Sequence, residues 1–231
     1  MILSIETATV QCSVALHSCN GECVAQKTAA AENAHSEQLA CLIEEILGET
    51  HTPVHNLKAI AVSQGPGSYT SLRIGVSLAK GMCFALSIPL VAVDTLQALA
   101  LSIKEKIAGE LPANSVFVPM IDARRMEVYT AQWTLHNQQL QATNACIVDA
   151  VTRSQFSEQY HYYIGGNGSA KCAELLCNSH IEHVENVVNQ AKTVGDIACK
   201  LYAKRQFADT AYFEPLYLKE FQTPKPPLNH P

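Results

Sequence analysis

Residues 57–86 constrain the fold more than any other part of this chain. An apolar run, Leu57 to Ser63, predicts a strand. It enters the loop Gly65-Pro-Gly-Ser-Tyr-Thr-Ser71, and a helical pattern follows from Leu72 to Leu86. Between Ser71 and Leu86 the only charges are Arg73 and Lys80, so apolar or small residues occupy nearly every direction around the axis. A helix of that kind is buried on more than one side. One side must pack on its own sheet. The other carries Ser71, Gly75 and Ala79 at a spacing of four, flanked by Ile74, Leu78 and Met82. Small residues at that spacing admit a second helix at close range. Two readings stand: a fully internal helix, or a helix–helix interface with another chain.

The loop itself poses a choice between phosphate binding and tight packing. Glycines at a strand-to-helix turn can aim backbone N–H groups at an anion. A P-loop also needs Gly-Lys-Ser/Thr, and this loop ends Gly-Ser-Tyr-Thr-Ser without a lysine. The G-x-G-x-x-G spacing is missing too. The chemistry favours a structural turn.

Around this unit the pattern is α/β. Met1–Ile5, Cys12–Leu16 and Glu22–Lys27 read as an antiparallel meander, and Ala29–Leu47 as a helix with Leu39, Leu42 and Ile46 on its apolar face. Pro89–Val93 is a strand and Thr95–Lys106 a helix. Gly109–Ser115, with Pro112, marks a boundary, which divides the chain into lobes of residues 1–108 and 109–231. The second half restarts with strands at Val116–Ile121 and Met126–Leu135. Tyr160–Ile164 then leads through Gly165-Gly-Asn-Gly168 into a helix over Ala170–Cys177, and a last helix covers Val194–Lys204. Each half opens with an apolar strand ending in an acid, Glu6 or Asp122, which suggests a duplicated plan. The tail, with Pro224, Pro226, Pro227 and Pro231, predicts extended chain.

Composition removes several function classes. With 231 residues and 48% hydrophobic side chains, the chain can bury a substantial core. Its net charge of −5, with Arg124-Arg125 as the densest basic cluster, argues against gripping nucleic acid alone. Nine cysteines, without C-x-x-C spacing, predict buried free thiols of a reducing cytoplasm rather than zinc or disulfides. No signal peptide or membrane span is expected. His51-Thr-Pro-Val-His55 has metal-like spacing, but Pro53 opposes the helix that would align it; His180 and His183 read as loop residues.

Gly65-Pro-Gly-Ser-Tyr-Thr-Ser-Leu-Arg-Ile-Gly75, the opening Ile2-Leu-Ser-Ile-Glu-Thr-Ala-Thr9 and the closing Glu214-Pro-Leu-Tyr-Leu-Lys219 together resemble the bacterial TsaB family of tRNA threonylcarbamoyladenosine biosynthesis. Tyr69 stands where that family usually has Phe, and Ser71 where it usually has Gly. The resemblance implies two α/β lobes of actin-like, Hsp70-like and sugar-kinase-like type, each a mixed sheet with flanking helices. It implies a non-catalytic subunit that pairs with a TsaD-like transferase, joins a TsaE-like ATPase, forms homodimers when alone and meets tRNA through the complex. The helices bearing Leu39, Leu42 and Ile46, and Ser71, Ile74, Gly75, Leu78 and Met82, would then form the partner interface. The catalytic relative holds its metal with a His-x-x-x-His pair, where this chain has Thr95 and Leu99; no metal or resident cofactor is therefore expected. The turn that meets adenosine in relatives resembles Gly165, Gly166 and Gly168, which leaves room for a nucleotide beside the partner. A stand-alone ATP-dependent enzyme or peptidase of the same fold is the competing expectation.

Overall fold

The computed structural model describes residues 1–29 and 35–219. The start of the first expected helix, residues 30–34, and the proline-rich tail beyond 219 lie outside the described residues. The first sheet contains β1 (Ile2–Glu6), β2 (Ser13–His17), β3 (Cys23–Thr28), β4 (Ala59–Ser63) and β5 (Leu90–Val93) in the order β3-β2-β1-β4-β5. The second contains β6 (Ser115–Asp122), β7 (Glu127–Thr134), β8 (Gln139–Ile147), β9 (His161–Gly165) and β10 (Ile181–Val184) in the order β10-β9-β6-β7-β8.

Read from opposite ends, the two orders are one plan used twice. In each, the first strand pairs antiparallel with the second and the second antiparallel with the third. The first also pairs parallel with the fourth, and the fourth parallel with the fifth. The expected two-lobed duplication is therefore present.

Helices α1 (His35–Glu49) and α2 (Tyr69–Leu86) cover one face of the first sheet. Ser68 caps α2 by accepting from the Ser71 N–H, and Ser87, in the left-handed region, ends it. Helix α3 (Thr95–Lys106) presents Leu96, Leu99 and Ile103 to Phe117, Ile121 and Tyr163 of the second sheet. The short α4 (Ala150–Arg153) and α5 (Ala170–Leu176) lie on the second sheet's other face.

Helix α6 (Ala191–Ala203) returns to the first sheet, packing Val194, Ile197 and Ala198 against Ile2, Ala59 and Ala61. Gly195 makes this approach possible: a Cβ there would stand 2.1 Å from the His17 ring. The strands of the two sheets fall on either side of residue 108, but α6 and the segment after it belong with the first sheet. The packing thus corrects a second lobe made of residues 109–231. The physical reason is that β1, β2 and β4 are buried on both faces, and only a second helix layer covers the far face. Helices α3 and α6 meet between the sheets, where Ser102 and Thr193 share a hydrogen bond of 3.1 Å.

Cys12, Cys83, Cys172 and Cys199 are buried, as expected of core thiols, whereas Cys19 and Cys41 are exposed; all nine are free. Among the described residues no helix is long and apolar enough to cross a membrane.

Candidate functional site: the cleft between the lobes

The matching ends of the two sheets converge on a cleft of about 460 Å³. Its walls are the β1–β2 turn (Ala8 to Val10), the loop and first turn of α2 (Pro66 to Ser71), the β6–β7 turn (Ile121 to Arg124), Asn167, and the final segment Leu216 to Lys219.

The glycine loop is built to pack. A Cβ on Gly67 would lie 2.4 Å from the Ala8 carbonyl oxygen. The Ser68 N–H donates to that same oxygen at 2.7 Å. Gly65 has φ +109°, and its N–H donates to the Thr95 hydroxyl at 2.9 Å. Two of the loop's amides, those of Gly65 and Ser68, are thus already bonded to the chain.

The second glycine turn follows the same logic. A Cβ on Gly165 would meet Ile103 at 2.8 Å, one on Gly166 the Met120 carbonyl oxygen at 2.5 Å, and one on Gly168 the Asp122 nitrogen at 2.8 Å. These three candidate nucleotide residues are seated against β6 and α3. Asn167 is the residue of that turn that lines the cleft, and its side-chain oxygen accepts from the Asp122 N–H at 3.0 Å. Sequence reasoning passed over Asn167 because glycines dominate the motif around it.

The two acids ending the first strands are both engaged. Glu6 is fully buried; one oxygen accepts from the Ala8 N–H at 2.6 Å and from the Ser63 hydroxyl at 3.0 Å, and the other has no partner. Burial pushes its carboxyl up to about 7, against those bonds. Asp122 pairs with Lys171, whose ammonium also bonds the Glu127 carbonyl oxygen. Glu6 is buried and is not part of the cleft wall, whereas Asp122 lines the cleft with one oxygen already paired to Lys171.

At the start of α3, Thr95 and Leu99 are fully buried. The Thr95 hydroxyl holds the Gly65 N–H, and Leu99 packs against Gly166. A metal does not fit there, because Leu99 offers no donor atom and Thr95 is already bonded. Among the described residues no cluster of three or more His, Cys, Asp or Glu is placed to hold a metal.

The competing peptidase expectation would need an activated nucleophile, and one serine–histidine pair invites the comparison. Ser169 and His183 approach to 2.9 Å, but Ser169 is buried and its hydroxyl donates to the Gly166 carbonyl oxygen. Its single proton is spent, so the imidazole donates to the serine rather than activating it. His183 lies half-buried within β10, not on the loop expected.

The expected partner face also changes. Leu39, Leu42 and Ile46 are buried in the first lobe's own core, and so are not free for a second chain. Ser71, Gly75 and Ala79 also point inward: a Cβ on Gly75 would lie 2.3 Å from the Thr7 hydroxyl oxygen. The small-residue stripe admits the end of β1 rather than a partner helix. Ile74, Leu78 and Met82 are half-buried against the same core. The outward face of α2 is instead Arg73, Ser77, Gly81, Phe84 and Ala85, with Phe84 86% exposed.

With this geometry in place, comparison with known proteins fixes the family. A family model described as TsaD, tRNA N6-adenosine threonylcarbamoyltransferase, matches residues 25–220. The chain is also 26% identical over 224 residues, 94% of each chain, to the TsaB biosynthesis protein of Escherichia coli. The chain belongs to this family, on its TsaB side. TsaB of Bacillus subtilis is 32% identical over 136 residues, 59% of this chain and 56% of that one. Among solved structures, a Pseudomonas aeruginosa protein described as similar to the peptidase YeaZ superposes with a TM-score of 0.79 at 22% identity, over 94% of this chain and 99% of that one. A more distant likeness, TM-score 0.53 at 9% identity over 89% and 96%, is to an activator of 2-hydroxyisocaproyl-CoA dehydratase from Clostridium difficile. Both show the shared two-lobed fold. The TsaB family is one of tRNA threonylcarbamoyladenosine biosynthesis.

Proposed function

We propose that this chain is a non-catalytic subunit that works in the cytoplasm with a TsaD-like transferase and a TsaE-like ATPase. Together they would place the threonylcarbamoyl group on the adenosine beside the tRNA anticodon, with tRNA met through the complex. One observation carries the reading. Where the catalytic relative has its histidine pair, this chain has Thr95 and Leu99, and both serve packing of the lobes. The reading requires no metal or cofactor on this chain.

The outward face of α2 supports a partner role. It joins small residues, Ser77, Gly81 and Ala85, to a Phe84 ring that is 86% exposed. Small side chains let a helix approach, and an exposed aromatic supplies an anchor that a partner buries. The same face would serve the homodimer when the chain is alone.

An omission assay tests the function. Catalytic subunit, ATPase, threonylcarbamoyl-adenylate and tRNA are combined with and without this chain, and the modified nucleoside is quantified. Product should require the chain, and the chain alone should make none; equal product without it rejects the proposal. Phe84→Asp tests the surface separately. It should weaken assembly by more than about tenfold in a titration, since a charge buried against a partner is strongly unfavourable. Its melting temperature should stay within about 2 °C of wild type, because exposed positions contribute little to stability. Unchanged assembly places the interface elsewhere. Leu78→Asp is a poorer probe: Leu78 packs on the chain's own core, so unfolding would mimic lost binding.

A further inference from the structure

We infer that residues 204–219, the segment after α6, form a latch that sets how far the two lobes open. The segment is anchored to the first lobe at three places. The Ala208 N–H donates to the Leu90 carbonyl at 2.9 Å, at the free edge of β5. The Lys80 ammonium holds the carbonyls of Ala211 and Phe213 at 3.2 and 2.9 Å. The Leu216 N–H donates to the Gln64 carbonyl at 2.7 Å.

Beyond Leu216 the segment crosses the cleft. Tyr217 packs on Tyr69 with ring centroids 4.7 Å apart and the rings tilted by 40°, and its hydroxyl accepts from Arg73 at 3.1 Å. Two residues later Lys219 pairs with Glu127, at the start of β7 in the second lobe, and its ammonium lies 5.9 Å from the Tyr129 ring. One short stretch therefore starts on the first lobe and ends on the second, and Leu216 to Lys219 form a wall of the cleft.

The two ends of this crossing differ in kind. The first-lobe anchors are two backbone–backbone hydrogen bonds and two from the Lys80 ammonium to backbone carbonyls. The second-lobe end is one ion pair between half-buried side chains, with Lys219 34% and Glu127 24% exposed. Pairs this accessible are weak and screened by salt, so this end breaks first. Between the sheets α3 and α6 stay packed, through Ser102–Thr193 and the Lys192–Glu105 pair, and act as the hinge. The latch thus governs entry to the cleft without disturbing either sheet.

Hydrogen exchange of the full chain tests this. Lys219→Ala and Glu127→Gln should each speed exchange of the cleft-wall amides, residues 67–71 and 121–126, by about two- to five-fold, the range expected for losing one accessible ion pair. Amides in β1, β4, β6 and β9 should be unchanged. The double variant should exceed neither single one, Lys219→Arg should restore wild-type exchange, and 1 M salt should speed the wild type but not the variants. No change in either single variant overturns the latch. A uniform rise across both sheets also overturns it, since that shows a loss of global stability.

Discussion

Glu6→Gln is expected to flatten the pH dependence of stability between about pH 4.5 and pH 7. The carboxyl is held at about 7 by complete burial, against an ordinary value of 4.5. Between those limits the folded chain keeps a proton that the unfolded chain has lost. Stability therefore falls as pH rises through this window: the contribution is fully present below 4.5 and lost above 7. At about 1.4 kcal/mol per pH unit, the gap amounts to ~3 kcal/mol, a large share of a typical domain's stability. Glutamine mimics the protonated acid in shape and charge, so within the window its stability should fall less steeply than wild type, by up to about 1.4 kcal/mol per pH unit. Urea unfolding at pH 5, 6, 7 and 8 gives the slope directly. An unchanged slope in the variant shows that Glu6 ionises as freely in the folded chain as in the unfolded one. Asp94, also raised by burial, acts in the same sense, while Asp149 and Asp196, held below the usual carboxylate range, act against it.

The acid at the end of the first strand was visible in the sequence; its burial was not. Period and spacing report which elements form, and here they located the meander, α2, β5, α3 and the duplicated plan. They fail where the chain's own packing decides. β8 (Gln139–Ile147) escaped notice because it is an edge strand whose weak alternation, Gln139 to Thr143, breaks at Asn144. β10 (Ile181–Val184) was missed because Glu182 and His183 break its apolar run. The stripe Ser71, Gly75, Ala79 was legible as a close-packing face, but a helical wheel does not say what approaches it. The sheet is the answer, since Thr7 fills the space. In the same way Leu39, Leu42 and Ile46 declared an apolar face on α1, and the chain's own core took it. The outward face of α2, from Ser77 to Phe84, is unremarkable in the sequence because small residues and one aromatic have no distinctive period.

Two glycines six residues apart in α2 should respond to substitution with opposite signs. Gly81 lies on the exposed face, and a Cβ there meets nothing within 4 Å. Alanine restricts the unfolded chain and suits a helix interior, so Gly81→Ala should stabilise by about 0.5–1 kcal/mol. Gly75 is on the same helix but faces the end of β1, where a Cβ would stand 2.3 Å from the Thr7 hydroxyl oxygen. Thr7 is fully buried and cannot swing aside into solvent. Gly75→Val therefore has to push α2 away from the sheet, and should destabilise by about 3 kcal/mol, at the upper end of overpacking effects. The displacement would also reach the cleft, because the first turn of α2 carries Tyr69 and Ser71 in its wall. Denaturant unfolding of both variants measures the pair. If Gly75→Val is as stable as wild type, then α2 is not seated on Thr7. If Gly81→Ala lowers stability instead, the outward face of α2 is already covered in the isolated chain, as a homodimer would cover it, and the loss should shrink as the protein is diluted.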